Sequence, residues 1–204
     1  MLLFVTGSSG SGKTTCLPQL QDRFPDMAWY DFERDGIPPG AGAAWRQQKT
    51  EYWLQQALQD QAHGRDVGIS GGCIMGEILA CPSAPHLDSM AVCLLECSDV
   101  IVRADRLRAR PAGGLTQEIL NWAAWQRMHA DDPQWRQDVI RDGGADGMCW
   151  ERWDAWRRGD PRWDAWVLET MRLSVEETVE QLVRWVEGWR RVRRPNPLLT
   201  PQIL

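Results

Sequence analysis

The chain has 204 residues and a formal net charge of −5, long enough for one full hydrophobic core and with a charge balance that weighs against a protein whose whole surface grips nucleic acid. Its six cysteines, Cys16, Cys73, Cys81, Cys93, Cys97 and Cys149, form no C-x-x-C pair and accompany no histidine pattern, so they read as reduced, buried thiols. No apolar run approaches a membrane span, and a strand occupies the place of a signal peptide, so a cytoplasmic enzyme is the expectation.

Leu2-Leu3-Phe4-Val5 reads as a buried strand. It leads into Gly7-Ser8-Ser9-Gly10-Ser11-Gly12-Lys13-Thr14, which satisfies G-x-x-x-x-G-K-[ST]. A helix follows, with Leu17, Leu20 and Phe24 at helical spacing. Strand, glycine loop and helix start in that order are the context a phosphate-binding loop requires. Chance would produce the pattern in roughly one such chain in a thousand. The only lysines are Lys13 and Lys49, and one of them stands at the motif's lysine. Glycines let successive backbone N–H groups converge on phosphate, and the helix N-terminus adds partial positive charge. Lys13 is expected at the β/γ-phosphates of ATP, the Thr14 hydroxyl on Mg²⁺, and Thr15 beside them in the first turn.

Residues 27–30 read as a second strand, ending in Asp31-Phe32-Glu33-Arg34. Asp31 and Glu33 stand where a ligand over the phosphate loop projects. A hydroxyl attacking a γ-phosphate needs a carboxylate to orient it and take its proton, so Asp31 is assigned as base and Glu33 as acceptor or metal contact. Arg34 and Arg46 are candidate anion holders for the acceptor. A loop over 36–42 precedes a helix over 43–63, with Trp53, Leu54, Ala57 and Leu58 on one face. Residues 67–70 form a third strand running into Gly71-Gly72, a turn that permits close approach to substrate. A short helix over 74–80 and a strand over 91–97 come next. Ser98 is expected to cap a helix over 99–110, closed by Pro111-Ala112-Gly113-Gly114. On it Arg103, Arg106 and Arg110 share a stripe suited to clamping phosphates and adenine.

Residues 115–162 are helical in pattern and rich in tryptophan, with breaks at Asp132-Pro133 and Gly143-Gly144. Of the 13 tryptophans most lie in the second half of the chain, where they read as apolar anchors; base stacking is the sharper alternative. His129, without ligand spacing, reads as structural. A last strand over 163–168 precedes Ser174-Val175-Glu176-Glu177, a capping box opening a helix with Val175, Val179, Leu182, Val183, Val186 and Trp189 on its apolar face. The tail from Arg190 is expected to be mobile. Alternating strands and helices predict an α/β, three-layer αβα fold with a parallel sheet of about five strands and ligands at the carboxyl ends of the strands. The domain spans 1–189, with 115–162 a helical lid-like insertion and 190–204 a basic, proline-containing tail.

With these motifs in hand, the chain resembles the nucleoside-monophosphate-kinase-like branch of P-loop kinases. In plan it is similar to shikimate and gluconate kinases, chloramphenicol phosphotransferase and the polynucleotide kinase domain. The resemblance implies a P-loop NTPase fold in which residues 7–14 hold the ATP phosphates and Asp31 acts as substrate-side base. Glu33 matches the second acid of an Asp-x-Asp pair, Gly71 and Gly72 a glycine turn, and Arg106 and Arg110 an Arg-x-x-x-Arg pair, with Arg110 catalytic. Two departures stand out: Ser70-Gly71 lacks the acid that nucleotide kinases often carry there, and 115–162 is longer than a typical lid.

The functional expectation is ATP- and Mg²⁺-dependent transfer of the γ-phosphate to a hydroxyl of a small molecule such as a sugar, nucleoside, cyclitol or antibiotic. A polynucleotide 5′-hydroxyl kinase is the second reading, from the Asp-x-x-Arg spacing of Asp31 and Arg34 and the arginine-rich tail, with the net charge against it. The third is a nucleotide-gated interaction protein with slow ATPase activity.

Overall fold

The computed structural model describes residues 1–110 and 114–199. The expected helix stop at Pro111-Ala112-Gly113 and the last five tail residues, 200–204, lie outside the described residues. Leu2–Thr6 (β1) is buried at every position. An unbroken apolar run of this kind suits only a strand covered on both faces. β1 lies between Val67–Gly71 (β3) and Met90–Glu96 (β4), with Ala28–Asp31 (β2) and Ala165–Glu169 (β5) at the edges. The sheet has five strands in the order β2-β3-β1-β4-β5, with every adjacent pair parallel. This is the α/β architecture expected from the sequence.

Among the described residues the helices are α1 (Lys13–Arg23), α2 (Ala43–Ala62), α3 (Met75–Ala80), α4 (Val100–Arg108), α5 (Gln117–Asp131), α6 (Asp138–Arg141) and α7 (Val175–Val192). Side chains alternate across β1, so the two faces build separate cores. Leu3 and Val5 pack with α1 and α7 in a layer that includes Leu17, Leu20, Phe24, Trp29, Val179, Leu182 and Val186. Leu2 and Phe4 pack with α2, α3 and α5 in a layer holding Trp53, Trp125, Trp153, Trp156 and Trp163. α7 opens with the predicted capping box, Ser174 and Glu177 each accepting the other's backbone N–H.

Three local expectations change. The cap of α4 is Asp99 and not Ser98: the Asp99 carboxylate accepts from the amides of Ile101 at 2.8 Å and Val102 at 3.0 Å. Ser98 is drawn instead to β5, its amide donating to Glu169 at 3.2 and 3.3 Å. The second change concerns 115–162, which is helical in α5 and α6 and otherwise turns, with a short 3-10 turn at Trp150–Arg152. Trp125, Trp153 and Trp156 are buried there, as is Trp163 just beyond, whereas Trp135 is exposed, and a buried indole N–H needs a partner. Trp153 donates to the Gly76 carbonyl at 2.9 Å and Trp125 to that of Arg136 at 3.1 Å, while Trp163 reaches the carbonyls of His129 and Ala130, both at 3.1 Å. Such tertiary bonds override the helical pattern. His129 is buried against Trp125, with ring centroids 4.6 Å apart, and burial lowers its pKa to about 4.

The third change is at the C-terminal end, where α7 continues to Val192 and described residues beyond it contact the body of the domain. Asn196 is buried and donates to the carbonyls of Ala84 at 2.7 Å and Leu87 at 2.9 Å. Arg190 pairs with Asp26 and Asp66, Arg193 with Asp66 and Arg194 with Asp164.

Candidate active site

Residues 7–14 carry the chain from β1 into α1, at the carboxyl end of the central strand. Gly7 takes φ +146°, and a side-chain carbon there would lie 2.4 Å from the Leu95 carbonyl oxygen and 2.7 Å from Ser11 Oγ. Only glycine fits. Gly12, at φ 107°, precedes the first turn of α1, where the Thr15 amide donates to the Gly12 carbonyl at 3.1 Å and the preceding amides lie before the first intrahelical bond. The Lys13 ammonium folds back over the loop, donating to the carbonyls of Gly7 and, at 3.2 Å, Ser8. Burial lowers its pKa to about 8, opposed by Glu33 and reinforced by Arg110 and Arg103. Ser11 Oγ is buried without a hydrogen-bond partner among the described residues. An orphaned hydroxyl and a desolvated ammonium inside one ring of amides are the features an anion would satisfy.

A cleft of about 230 Å³ opens over this loop. Its walls are residues 7–14, then Phe32, Glu33, Ile37, Trp45, Arg46, Gly72, Arg110 and Trp122. A second cleft, about 330 Å³, continues past Gly10, Ser11, Gly12 and Arg110 to Thr15, Arg106, Thr170, Leu173 and Val175. The structure thus brings together Lys13, Thr14, Glu33, Arg46, Gly72 and Arg110 in one cavity, with Thr15 and Arg106 in the adjoining one.

Other predicted residues lie elsewhere. Asp31 does not line the cleft, because its carboxylate turns back to accept the Glu33 amide at 2.9 Å. That bond fixes the turn from which Glu33 projects, so the carboxylate beside the phosphate loop is Glu33. A side-chain carbon on Gly72 would meet Glu33 Oε1 at 3.4 Å, so the carboxylate reaches across the glycine turn. Arg34 is directed away, 3.5 Å from Asp35 and with its guanidinium carbon 4.8 Å from the Trp53 ring centre. Gly71 serves packing: a side-chain carbon there would fall 2.2 Å from Phe32 Cβ.

The arginines of α4 divide. Arg103 is buried, donating to Ser8 Oγ, to the Ser9 carbonyl at 2.7 Å, to the Cys97 carbonyl at 2.7 and 3.1 Å and to Glu96 at 2.7 Å. It pins the phosphate loop to β4 and is not a free clamp for phosphate. Burial raises the pKa of Glu96, and Arg103 opposes the rise. Arg106 ties the loop to the turn after β5, donating to the Thr170 carbonyl at 2.6 Å, Thr170 Oγ1 at 2.9 Å and the Gly10 carbonyl at 3.3 Å. Arg110 is exposed at the junction of the two clefts.

Sequence reading missed two groups. One is the aromatic wall of Phe32, Trp45 and Trp122, whose members come from three distant segments. The other is Glu77, fully buried, which takes Nε and Nη2 of Arg46 at 2.7 Å each and the Gln47 amide at 3.0 Å. Burial pushes the Glu77 carboxyl up, against the pull of Arg46 and Gln47. The signal for that pair was faint: an acid in a short apolar helix, a position that nearly always demands a partner.

For a magnesium ion carried with nucleotide, oxygen donors are present in the exposed Thr14 hydroxyl and the Glu33 carboxylate on the same cleft. Among the described residues no cluster of three or more His, Cys, Asp or Glu forms a metal cage. That set fits Mg²⁺, which binds through few protein oxygens together with phosphates and water.

No protein-family model matches the sequence, and no curated protein matches it either. Solved structures do match. An unliganded sugar kinase from Janibacter sp. HTCC2649 superposes with a TM-score of 0.57 at 15% identity, covering 91% of this chain and 94% of its own. The protein APE1195 gives 0.53 at 16% identity, covering 92% and 95%. A shikimate kinase from Bacteroides thetaiotaomicron reaches 0.49 at 17% identity, covering 92% and 98%. The fold expected from the sequence, a parallel sheet with flanking helices around a phosphate loop, is therefore shared with a solved kinase along nearly the whole chain. No helix among the described residues is long and apolar enough to cross a membrane.

Proposed function

We propose that this chain is an ATP-dependent phosphotransferase that moves the γ-phosphoryl group to a hydroxyl of a small molecule. The observation that carries the reading is one cleft bounded on one side by the phosphate loop with Lys13 and on the other by the Glu33 carboxylate. The likeness to a sugar kinase agrees with it.

In this reading the amides of residues 7–14 and the Lys13 ammonium hold the β- and γ-phosphates. Ser11 Oγ gains its missing partner there. Arg110 faces the transferring group from the mouth of both clefts and offsets charge that develops on it. The adenine side of ATP lies in the adjoining cleft of Thr15, Leu173 and Val175. Glu33 orients the acceptor hydroxyl and takes its proton as the new oxygen–phosphorus bond forms and the β–γ bridging bond breaks, leaving ADP. Asp31 acts through Glu33, holding the turn that presents it. Magnesium, when bound with ATP, would supply charge neutralisation at the phosphates; in this division of roles the Thr14 hydroxyl is the protein oxygen that would hold it, together with phosphate oxygens and water, and Glu33 is left to the acceptor.

A polynucleotide acceptor has less support. The tail arginines that a phosphate track would use, Arg190, Arg193 and Arg194, are paired with Asp26, Asp66 and Asp164. The deciding experiment incubates the full chain with labelled ATP against hydroxyl-bearing metabolites and short oligonucleotides. Transfer to a small molecule, with an acceptor KM that changes little between low and physiological salt, is expected. An oligonucleotide phosphorylated efficiently with steep salt dependence would replace this reading. Slow phosphate release with no acceptor at all would favour a nucleotide-gated interaction protein.

A further inference from the structure

The acceptor side of the cleft has a composition of its own. Phe32 stands edge-on to Trp45, with centroids 6.1 Å apart and planes at 88°. Trp122 is stacked on Trp125 at 5.1 Å and 18°, and the Arg46 guanidinium carbon lies 4.8 Å from the centre of the Trp122 ring. Phe32 is buried, whereas Trp45 and Trp122 are half-buried cleft walls, with Ile37 completing the apolar lining. Rings fixed by stacking on other rings and on a guanidinium lose little entropy on binding a flat partner.

The charge on this side is also specific. Arg46 is the cation nearest the aromatic wall, yet two of its nitrogens are committed to Glu77. Gln47 locks the pair, donating to Glu77 at 3.0 Å and to the Ile140 carbonyl at 2.6 Å. Arg46 is thus offset before any ligand arrives by the buried Glu77, which leaves Glu33 as the charge on the acceptor side not already paired within that wall. Lys13 and Arg110 face the phosphate loop, where ATP would engage them. An anionic acceptor would enter this space against Glu33, and the other cations lining the cleft, Lys13 and Arg110, are the ones ATP occupies in this reading.

Resting on the kinase reading above, we infer that the acceptor is an uncharged alcohol bearing a flat aromatic ring, packed against Trp45 and the part of Trp122 that Trp125 and Arg46 leave open to the cleft, with its hydroxyl at Glu33. Sugar acids and phosphorylated sugars are the class that this pocket discriminates against.

The test uses the full chain with saturating MgATP and three sets of acceptors: adenosine, uridine and phenyl glucoside; glucose and inositol; gluconate and glucose 6-phosphate. Binding of each is also measured by calorimetry without ATP. The first set should give the highest kcat/KM, by about tenfold or more, the scale of one ring-stacking interaction. Trp122→Leu and Trp45→Leu should each raise the KM of those acceptors by about tenfold and leave the KM of ATP unchanged. Glu77→Gln should shift the preference toward gluconate. Should that buried variant fail to fold, the two tryptophan variants and the wild-type ranking decide alone. Gluconate or glucose 6-phosphate as the best acceptor, or an unmoved KM in both tryptophan variants, would overturn the acceptor class and leave the kinase reading standing. Calorimetric binding of the aromatic alcohols without any transfer would overturn the kinase reading and leave the ligand class standing.

Discussion

In the proposed reading, one side of the cleft, consecutive residues 7–14, binds with backbone amides and a single ammonium. On the other, Phe32, Glu33, Trp45, Arg46, Gly72 and Trp122 converge from separate parts of the chain. Phosphate is the same anion in every nucleotide, so a loop whose shape is set by glycine torsions suffices to hold it. An acceptor varies in shape and charge, and only side chains can match it. The two sides are also anchored differently. Arg103 and Glu96 pin the phosphate loop to the sheet, whereas Glu77 and Gln47 pin the acceptor wall to α2, α3 and the segment after α6. Damage on the first side should therefore be felt with any acceptor, and damage on the second only with those that use the wall.

The largest loss is expected from Lys13→Ala, about 10³-fold in kcat/KM for every acceptor, since charge stabilisation carries most of the catalysis in phosphoryl transfer. Near wild-type turnover in the folded variant would remove Lys13 from the phosphate site. Next comes Glu33→Gln, with a loss of about 10²-fold in kcat and unchanged ATP affinity. Asp31→Asn keeps an oxygen for the Glu33 amide and should cost less than about tenfold, because it touches only the turn. Equal losses at the two positions would erase the division drawn between them.

A smaller effect follows from pH. Lys13 in the free protein is held at about 8, and a bound phosphate favours its charged form, raising that value in the complex. ATP affinity is then fully present below pH 8 and falls as pH rises through it, by up to about tenfold per unit. Calorimetry near about pH 9, in buffers of different ionisation heat, should report proton uptake on binding; its absence would mean that Lys13 is already charged. The smallest effect is expected at Asp99, the cap of α4. Asp99→Ala should cost about 1 kcal/mol of stability in denaturant titration. It should leave the acceptor KM unmoved, since α4 serves the phosphate side; a changed acceptor KM would couple the two sides.

Much of the plan was legible before any coordinates. The run Leu2-Leu3-Phe4-Val5, the glycine loop, the capping box at Ser174 and Glu177 and the alternation of strands and helices each depend on neighbours within a few residues. Their conformations follow from torsional preference and local hydrogen bonding. The same holds for Lys13 and Thr14, carried to the mouth of the cleft by the loop itself. Tertiary structure alone decided the rest. It turned the Asp31 carboxylate back onto the Glu33 amide and left Glu33 lining the cleft, and it bonded Arg103 to the loop. The Trp153 indole, in the part of 115–162 that is turn and not helix, is bonded to the distant Gly76 carbonyl, and aspartates distant in sequence pair with Arg190, Arg193 and Arg194. Backbone recognition is encoded where it acts, whereas a side-chain wall exists only once segments far apart in sequence have packed together.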